Sequence, residues 1–372
     1  MLSELMDKPD ISVDESLLAF LRDLVGSGDL TYLEPPREIL GGADTRIFAF
    51  QLADAPAPFS GPLILRLFAE DDDPSRARWE GAVQSAVAGM SYPAPPVVVS
   101  HSEPHPLGVG FIIMVRLPGR PMLQAPTLTK MLPEAVRLVT SYPIVLAEYQ
   151  ARLHALDAGE FLRALQAHGL PEGGPGGAGI SQRSATISGQ LDQLAARIES
   201  AQLTGLQPAL DWLLRNRPRD PSRPVICHGD FHPINVLVHE GVVTGVIDWP
   251  MATVADCAFD VASTRVLLAI APIDLPGPLD GAVGLLRRLV VRRYYRAYLS
   301  HRAVDAGNVA YFEALRCLME LAWVGLRRAQ GAGMRRNPWG SPRSVTKLIA
   351  HFRHKTGVAP VLAGAGREGA RR

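Results

Sequence analysis

Residues Val225 to Asp260 read VICHGDFHPINVLVHEGVVTGVIDWPMATVADCAFD, and the way this stretch alternates short apolar runs with polar breaks decides the fold. Val225-Ile226-Cys227 is a β-prone run. It stops at His228-Gly229, where glycine permits a tight exit that a Cβ would resist, so Asp230 is expected in a loop at a strand end. Val236 to Val238 and Val242 to Ile247 read as two further short strands, and His239-Glu240-Gly241 between them predicts a hairpin turn. Asn235 falls just before one strand and Asp248 just after the other. In a hairpin those ends lie side by side, so an amide oxygen and a carboxylate can converge on one Mg²⁺, which prefers oxygen ligands. Asp230 is then left to accept a proton from a hydroxyl. In isolation an Asp after His-Gly caps a turn more often than it acts as a base. Asn235 and Asp248 in train favour the chemical reading.

In this order the residues resemble the aminoglycoside phosphotransferase and choline kinase-like family, which shares the two-lobed fold of protein kinases. His228-Gly229-Asp230-Phe231-His232-Pro233 resembles its catalytic loop, and Asn235 its metal-binding Asn. Ile247-Asp248-Trp249 resembles the segment that takes the place of the kinase DFG aspartate. Asp256 and Asp260 resemble the two acidic residues that follow that loop, expected to cap the next elements or brace the loop. The resemblance implies an α+β protein kinase-like fold, with a small β-rich N-lobe and a larger, mainly helical C-lobe. It implies Asp230 as catalytic base, Asn235 and Asp248 as magnesium ligands, ATP or GTP as donor, and a small hydroxylated molecule as acceptor. His228 is expected to brace the loop through main-chain hydrogen bonds, and His232 either to approach the nucleotide phosphates or to pack beneath the loop. A zinc site built from His228, Asp230 and His232 would leave Asn235 and Asp248 unexplained.

Upstream, Arg37 to Leu40 leads into Gly41-Gly42-Ala43-Asp44-Thr45-Arg46, and strand character resumes at Ile47. Strand, small-residue turn and strand is the shape of a hairpin that covers a nucleotide, with Gly41 and Gly42 near the phosphates, although adjacent glycines occur in many turns. Leu63 to Phe68 reads as a buried strand interrupted by one charge, Arg66. The kinase pattern places a phosphate-binding Lys there, and this chain has no Lys nearby; a guanidinium can grip both phosphate and carboxylate. Asp73-Pro74 reads as a helix cap, and Glu80 in the helix that follows is the candidate partner of Arg66; the plainer readings are a snorkelling strand end and a solvated helix charge. Met114-Val115-Arg116 resembles the hinge whose main chain binds adenine.

The expected organisation is an N-terminal helical extension over residues 1–30, an N-lobe over 31–116, a C-lobe over 117–356 with a flexible Gly/Pro loop at 168–183, and a disordered tail over 357–372. Ser12 to Val25, with an apolar stripe of Leu17, Leu18, Phe20, Leu21 and Leu24 ended by Gly26, predicts a helix packed on the small lobe. Helices are also predicted over Ile144 to Leu156, where His154 is a structural hydrogen-bonder, over Ile187 to Ile198, Leu206 to Leu214, Gly281 to Ser300 and Val309 to Arg328.

A net charge of +1 gives no general pull toward nucleic acid or anionic membrane. Cys227, Cys257 and Cys317, with no CxxC pair, point to reduced thiols and, with no apolar leader or membrane-length run, to a cytoplasmic protein. Between Gly281 and Gly340 stand eleven arginines against Asp305, Glu313 and Glu320, a balance that disfavours a polycationic acceptor. Pairs such as Arg287-Arg288 and Arg292-Arg293 also read as solvated helix faces. The acceptor is expected to be a neutral or anionic hydroxylated metabolite or a largely apolar antibiotic. An inactive nucleotide-binding scaffold is the alternative, against which the intact Asp230, Asn235 and Asp248 argue. No APE-like motif follows Asp248, so a protein kinase is not indicated.

Overall fold

A computed structural model describes residues 13–39, 45–69, 75–102, 107–124, 131–168, 187–270, 280–330 and 338–362. Gly41 and Gly42, the Asp73-Pro74 cap, the stretch from Gly169 to Gly179 and the tail beyond Leu362 lie outside the described residues. The chain forms two compact units. The first comprises Met1–Ala88 and Pro95–Leu117; the second comprises Gly89–Ala94 and Pro118–Arg372.

In the first unit a five-stranded antiparallel sheet of β1 (Tyr32–Glu38), β2 (Arg46–Leu52), β3 (Pro62–Leu67), β4 (Val97–His101) and β5 (Phe111–Val115) has the order β1-β2-β3-β5-β4. The two-residue period of β3 explains its two roles. Leu63, Leu65 and Leu67 face a core shared with Phe48, Phe50, Phe111 and Ile113, to which α1 (Val13–Val25) adds Leu17 and Leu21. Ile64 and Arg66 face the other way. There Ile64 joins Ile112 and Met114 against Ala77 of α2 (Ser75–Gly89). Gly81 of α2 allows this close approach, since a Cβ there would lie 2.6 Å from Ser100 Oγ. Helix α1 ends as its sequence predicts, with Gly26 in the left-handed region at φ 70° and its N–H bonded to Arg22 O at 2.9 Å.

The second unit is mainly helical. Its helices are α3 (Met131–Thr140), α4 (Tyr142–Leu153), α5 (Ala158–Ala167), α6 (Ile187–Ser200), α7 (Gln207–Arg215), α8 (Cys257–Ile270), α9 (Asp280–His301), α10 (Ala306–Ala329) and α11 (Pro342–Thr356). Helix α8 is apolar nearly all round and is buried on most faces between α9 and α10, as such a pattern requires. Two small sheets complete the unit: β7 (Val225–Cys227) pairs antiparallel with β10 (Thr253–Ala255), and β6 (Arg120–Pro121) lies beside the hairpin of β8 (Val236–His239) and β9 (Val242–Val246). The architecture is the expected α+β combination. Arg288, Arg292 and Arg293 of α9 are solvated, while Arg287 is half-buried and reaches Ala269 O at 3.2 Å. Among the described residues no helix is long and apolar enough to cross a membrane.

Candidate active site

The loop after β7 is held from below by one carboxylate. Asp260, fully buried in the first turn of α8, accepts the His228 N–H at 3.1 Å and the Gly229 N–H at 2.7 Å. Its other partner is His154 Nε2 at 3.1 Å, and His154 Nδ1 meets Tyr298 Oη at 2.6 Å. Burial works to raise the Asp260 pKa, but His154 and the loop N–H groups outweigh it and hold the carboxyl below its usual range. Gly229 has φ 79°, and a Cβ there would sit 2.4 Å from Met251 O, so the turn accepts glycine alone without strain. Asp256 caps α8 by accepting Ala258 N–H at 2.9 Å, and it also binds Asn308 Nδ2 at 2.8 Å. His154, Cys227 and Asp260 come within metal-ligand distance of one another, yet Asp260 is committed to the loop and Cys227 Sγ points at Val225 O and Asp256 O; the cluster is a brace.

His228 is fully buried and spends both ring nitrogens on main chain. Nδ1 accepts the Asp230 N–H at 3.2 Å, which puts the ring proton on Nε2, the donor to Ile247 O at 3.1 Å. Burial lowers its pKa and keeps it neutral. With both nitrogens committed, His228 has none for zinc. His232 braces the loop from within: Nδ1 accepts the Ile234 N–H at 3.3 Å, and Nε2 donates to Asp230 Oδ2 at 3.2 Å.

Asp230 therefore has its carboxylate engaged on both sides. Oδ2 accepts from His232 and from Asn235 Nδ2 at 3.3 Å, while Oδ1 accepts from Arg316 Nη2 at 3.0 Å. Burial opposes the charge, but the His232 hydrogen bond and the cationic Arg316 hold this carboxyl far below the usual range. It is an anion across the physiological range. Arg316, on α10, belongs to the site although sequence reasoning did not single it out.

The hairpin forms as its turn tripeptide predicts, with Glu240 at φ 50° and Gly241 at φ 83°. Beyond the strands, the Ile247 N–H donates to Asn235 O at 2.9 Å, so the chain entering Asp248 runs alongside Asn235. Asp248 has φ 69°, a left-handed conformation that costs a non-glycine residue and that clusters at functional sites. Asn235 Nδ2 is spent on Asp230, at its main-chain O at 3.0 Å and at Oδ2, which leaves Oδ1 as the polar atom of that amide to offer a cation. An amide oxygen and a carboxylate are the hard donors that magnesium takes, so these residues fit the ion the resemblance implies.

In the first unit, Arg66 Nη1 donates to Glu80 Oε2 at 2.8 Å and Nε to Thr45 Oγ1 at 3.3 Å. Arg76 Nε donates to Glu80 Oε1 at 2.7 Å, and both guanidiniums lie over the Phe68 ring. Glu80 is thus a buried hub and not a solvated helix charge. Met114, Val115 and Arg116 stand at the end of β5, but the Val115 N–H donates to Pro96 O and the Arg116 N–H to Pro62 O, each at 2.9 Å. Both of those N–H groups are therefore paired within the first unit. The next main-chain N–H is that of Leu117, since Pro118 has none.

The acidic residues between Gly281 and Gly340 are all spent internally. Asp305 caps α10 through the Asn308 N–H at 2.8 Å, and Glu320 binds Arg316 at 2.7 Å. Glu313 gathers Arg265, His351 at 3.1 Å and Lys355 at 2.6 Å. Burial acts to raise its pKa, but these partners hold it down at about 2.

Residues 36–298 match the phosphotransferase enzyme family. Among curated proteins, the chain is 29% identical over 280 residues to homoserine kinase of Gluconacetobacter diazotrophicus, covering 74% of this chain and 75% of that protein. It is 28% identical over 187 residues to acyl-CoA dehydrogenase family member 11 of Homo sapiens, a match of 49% of this chain that spans 22% of the length of that relative. Among solved structures, a candidate aminoglycoside phosphotransferase from Ralstonia eutropha JMP134 superposes with a TM-score of 0.62 at 19% identity, over 92% of this chain and 98% of that one. A thermostable mutant of aminoglycoside phosphotransferase APH(4)-Ia, in ternary complex with ADP and hygromycin B, gives a TM-score of 0.51 at 19% identity, over 90% and 98%. These likenesses show that the fold is the kinase-like phosphotransferase fold.

Proposed function

The chain belongs to the phosphotransferase enzyme family, and from that premise we propose that it transfers the γ-phosphoryl group of ATP, with Mg²⁺, to a hydroxyl of a small neutral or anionic molecule. The observation that carries the reading is the Asp230 carboxylate, ionised, held by three donors and set beside Asn235 on the hairpin that leads to Asp248. The adenine nucleotide is supported by the ADP in the structurally similar APH(4)-Ia complex.

In this reading Asp230 accepts the proton of the acceptor hydroxyl as its oxygen forms a bond to the γ-phosphorus, while the bond from that phosphorus to the bridging oxygen breaks and ADP leaves. So acidic a carboxyl is a weak base, so its main contribution is orientation: it fixes the hydroxyl in line and takes the proton late. Asn235 Oδ1 and the Asp248 carboxylate would hold magnesium, whose contribution there would be neutralisation of phosphate charge. Arg66, aimed by Glu80 and Thr45, holds phosphate oxygens together with Gly41 and Gly42, and the main chain at Met114, Val115 and Arg116 takes the adenine.

The acceptor class rests on charge. A polycation needs a carboxylate-lined pocket, and Asp305, Glu313 and Glu320 are committed to a cap, an ion cluster and Arg316. Similarity to a protein named homoserine kinase points the same way. The three cysteines form no disulfide, which supports a cytoplasmic site of action.

The test is transfer from ATP and from GTP, with Mg²⁺, to a panel of amino alcohols, hydroxy acids, sugars, nucleosides, macrolides and aminoglycosides, with Asp230→Ala as control. Transfer to a neutral or anionic acceptor that the control abolishes is expected. Robust phosphorylation of kanamycin-like compounds would overturn the acceptor class, and full turnover by the control would overturn the role of Asp230.

A further inference from the structure

Arg316 is nearly fully buried in the middle of α10, separated in sequence by 86 residues from the carboxylate it binds. Burying a guanidinium costs several kcal/mol unless good partners receive it, and its charge cannot be shed by deprotonation. The partners are specific. Nη1 donates to Gly229 O at 2.6 Å and lies 3.5 Å from Met251 Sδ, while Nη2 reaches Asp230 Oδ1 at 3.0 Å and Glu320 Oε1 at 2.7 Å. Nε is buried and has no partner among the described residues, so the side chain is placed for what its fork holds.

The planar fork grips the loop main chain and the Asp230 side chain together, so the carboxylate cannot rotate without leaving a guanidinium that is anchored elsewhere. A carboxylate offers about four lone-pair directions. Arg316, His232 and Asn235 take three of them, which leaves one for a substrate. We propose that Arg316 is a positioning residue that fixes the rotation of the Asp230 carboxylate, so that the one remaining lone pair is the one the acceptor hydroxyl meets. The proposal rests on the reading of Asp230 as the base. It adds a residue of a distant helix to the catalytic loop, and a rigid cation at that position has a geometric purpose which packing alone would not supply.

The test compares wild type, Arg316→Met and Arg316→Lys by steady-state kinetics and by crystal structures. A misplaced base predicts a kcat lower by about 100-fold in Arg316→Met, with the nucleotide KM within about twofold of wild type. Lysine can restore charge but not the fork, so Arg316→Lys should recover about tenfold of that loss. The Arg316→Met crystal structure should show Asp230 turned away from His232 and Asn235 over an unchanged α10. Arg316→Met with kcat within about threefold of wild type overturns the proposal. Should Arg316→Met fail to fold, wild-type kcat in Arg316→Lys overturns it equally. If wild type transfers phosphate to no acceptor, the functional reading fails, and the Asp230 orientation in the two structures still decides the role of Arg316: an unmoved carboxylate contradicts it.

Discussion

The two units each bury an arginine–carboxylate cluster, and the clusters are built in opposite senses. In the first, Glu80 is the buried hub, its side chain 3% exposed, and the more exposed Arg66 and Arg76 are the spokes at 13% and 23%. In the second, Arg316 is the hub at 2%, and Asp230 and Glu320 are the spokes at 22% and 13%. In each cluster the hub is the more desolvated member, and the spokes keep more exposure. The more exposed charges of the first unit are thus guanidiniums, of a sign suited to phosphate oxygens, and the most exposed charge of the second is the Asp230 carboxylate, of a sign suited to a hydroxyl proton. A buried charge of one sign selects which sign a surface offers.

Four perturbations test this contrast. The largest effect is expected for Asp230→Ala, with kcat reduced by about 10²–10⁴-fold in a steady-state assay and binding of the nucleotide little changed. If nucleotide affinity fell as far as kcat, the division of labour would be lost. Next, Asp248→Asn should raise the magnesium concentration needed for half-maximal rate by about 10–100-fold, read from a metal titration at fixed ATP; an unchanged titration would remove Asp248 from the metal site.

Arg66→Met should raise the nucleotide KM by about tenfold, with Arg66→Lys between it and wild type, because methionine keeps the stem and loses the grip. Equal values for Met and Lys would make Arg66 a packing residue. The smallest effect on turnover belongs to a cluster outside both hubs. The Glu313 pKa is held at about 2 against an ordinary 4.5, so its contribution to stability is complete above pH 4.5 and is lost as pH falls from there toward 2. Glu313→Gln should cost about 3 kcal/mol near neutrality and flatten that acid limb in denaturant titrations, with kcat unaffected. A variant as stable as wild type at pH 7 would show that Arg265, His351 and Lys355 do not depend on it.

What was legible in the sequence was local. The β8–β9 hairpin, the glycine exit before Asp230 and the lone Arg66 within an alternating strand depend on residues a few positions apart, where turn chemistry and a period of two suffice. Arg66 and Glu80 met because a strand and the following helix are neighbours in the chain. Arg316 was one of eleven arginines, counted as acceptor surface or solvated helix, because its partner lies far upstream. The signal available was its place in Glu313 to Gly325, where Glu313, Arg316 and Glu320 recur at i, i+3 and i+7 as a narrow charged stripe among apolar residues, Glu320 four residues on from Arg316. Helix α11 carried its own markers, Ser341 as N-cap, Pro342 in the first turn and Gly357 in the left-handed region at its end, and went unread. The occupied N–H groups of Val115 and Arg116 were not legible, because which carbonyl a strand-end donor meets is settled by tertiary packing.

In the proposed reaction Asp230 serves the transfer step and not the binding of nucleotide. The most direct test is a paired measurement on wild type and Asp230→Ala: Mg·ATP affinity by calorimetry, and single-turnover transfer to whichever acceptor the panel identifies. Affinity within about threefold of wild type and transfer reduced at least about 100-fold are expected. Transfer at the wild-type rate in Asp230→Ala would contradict that role.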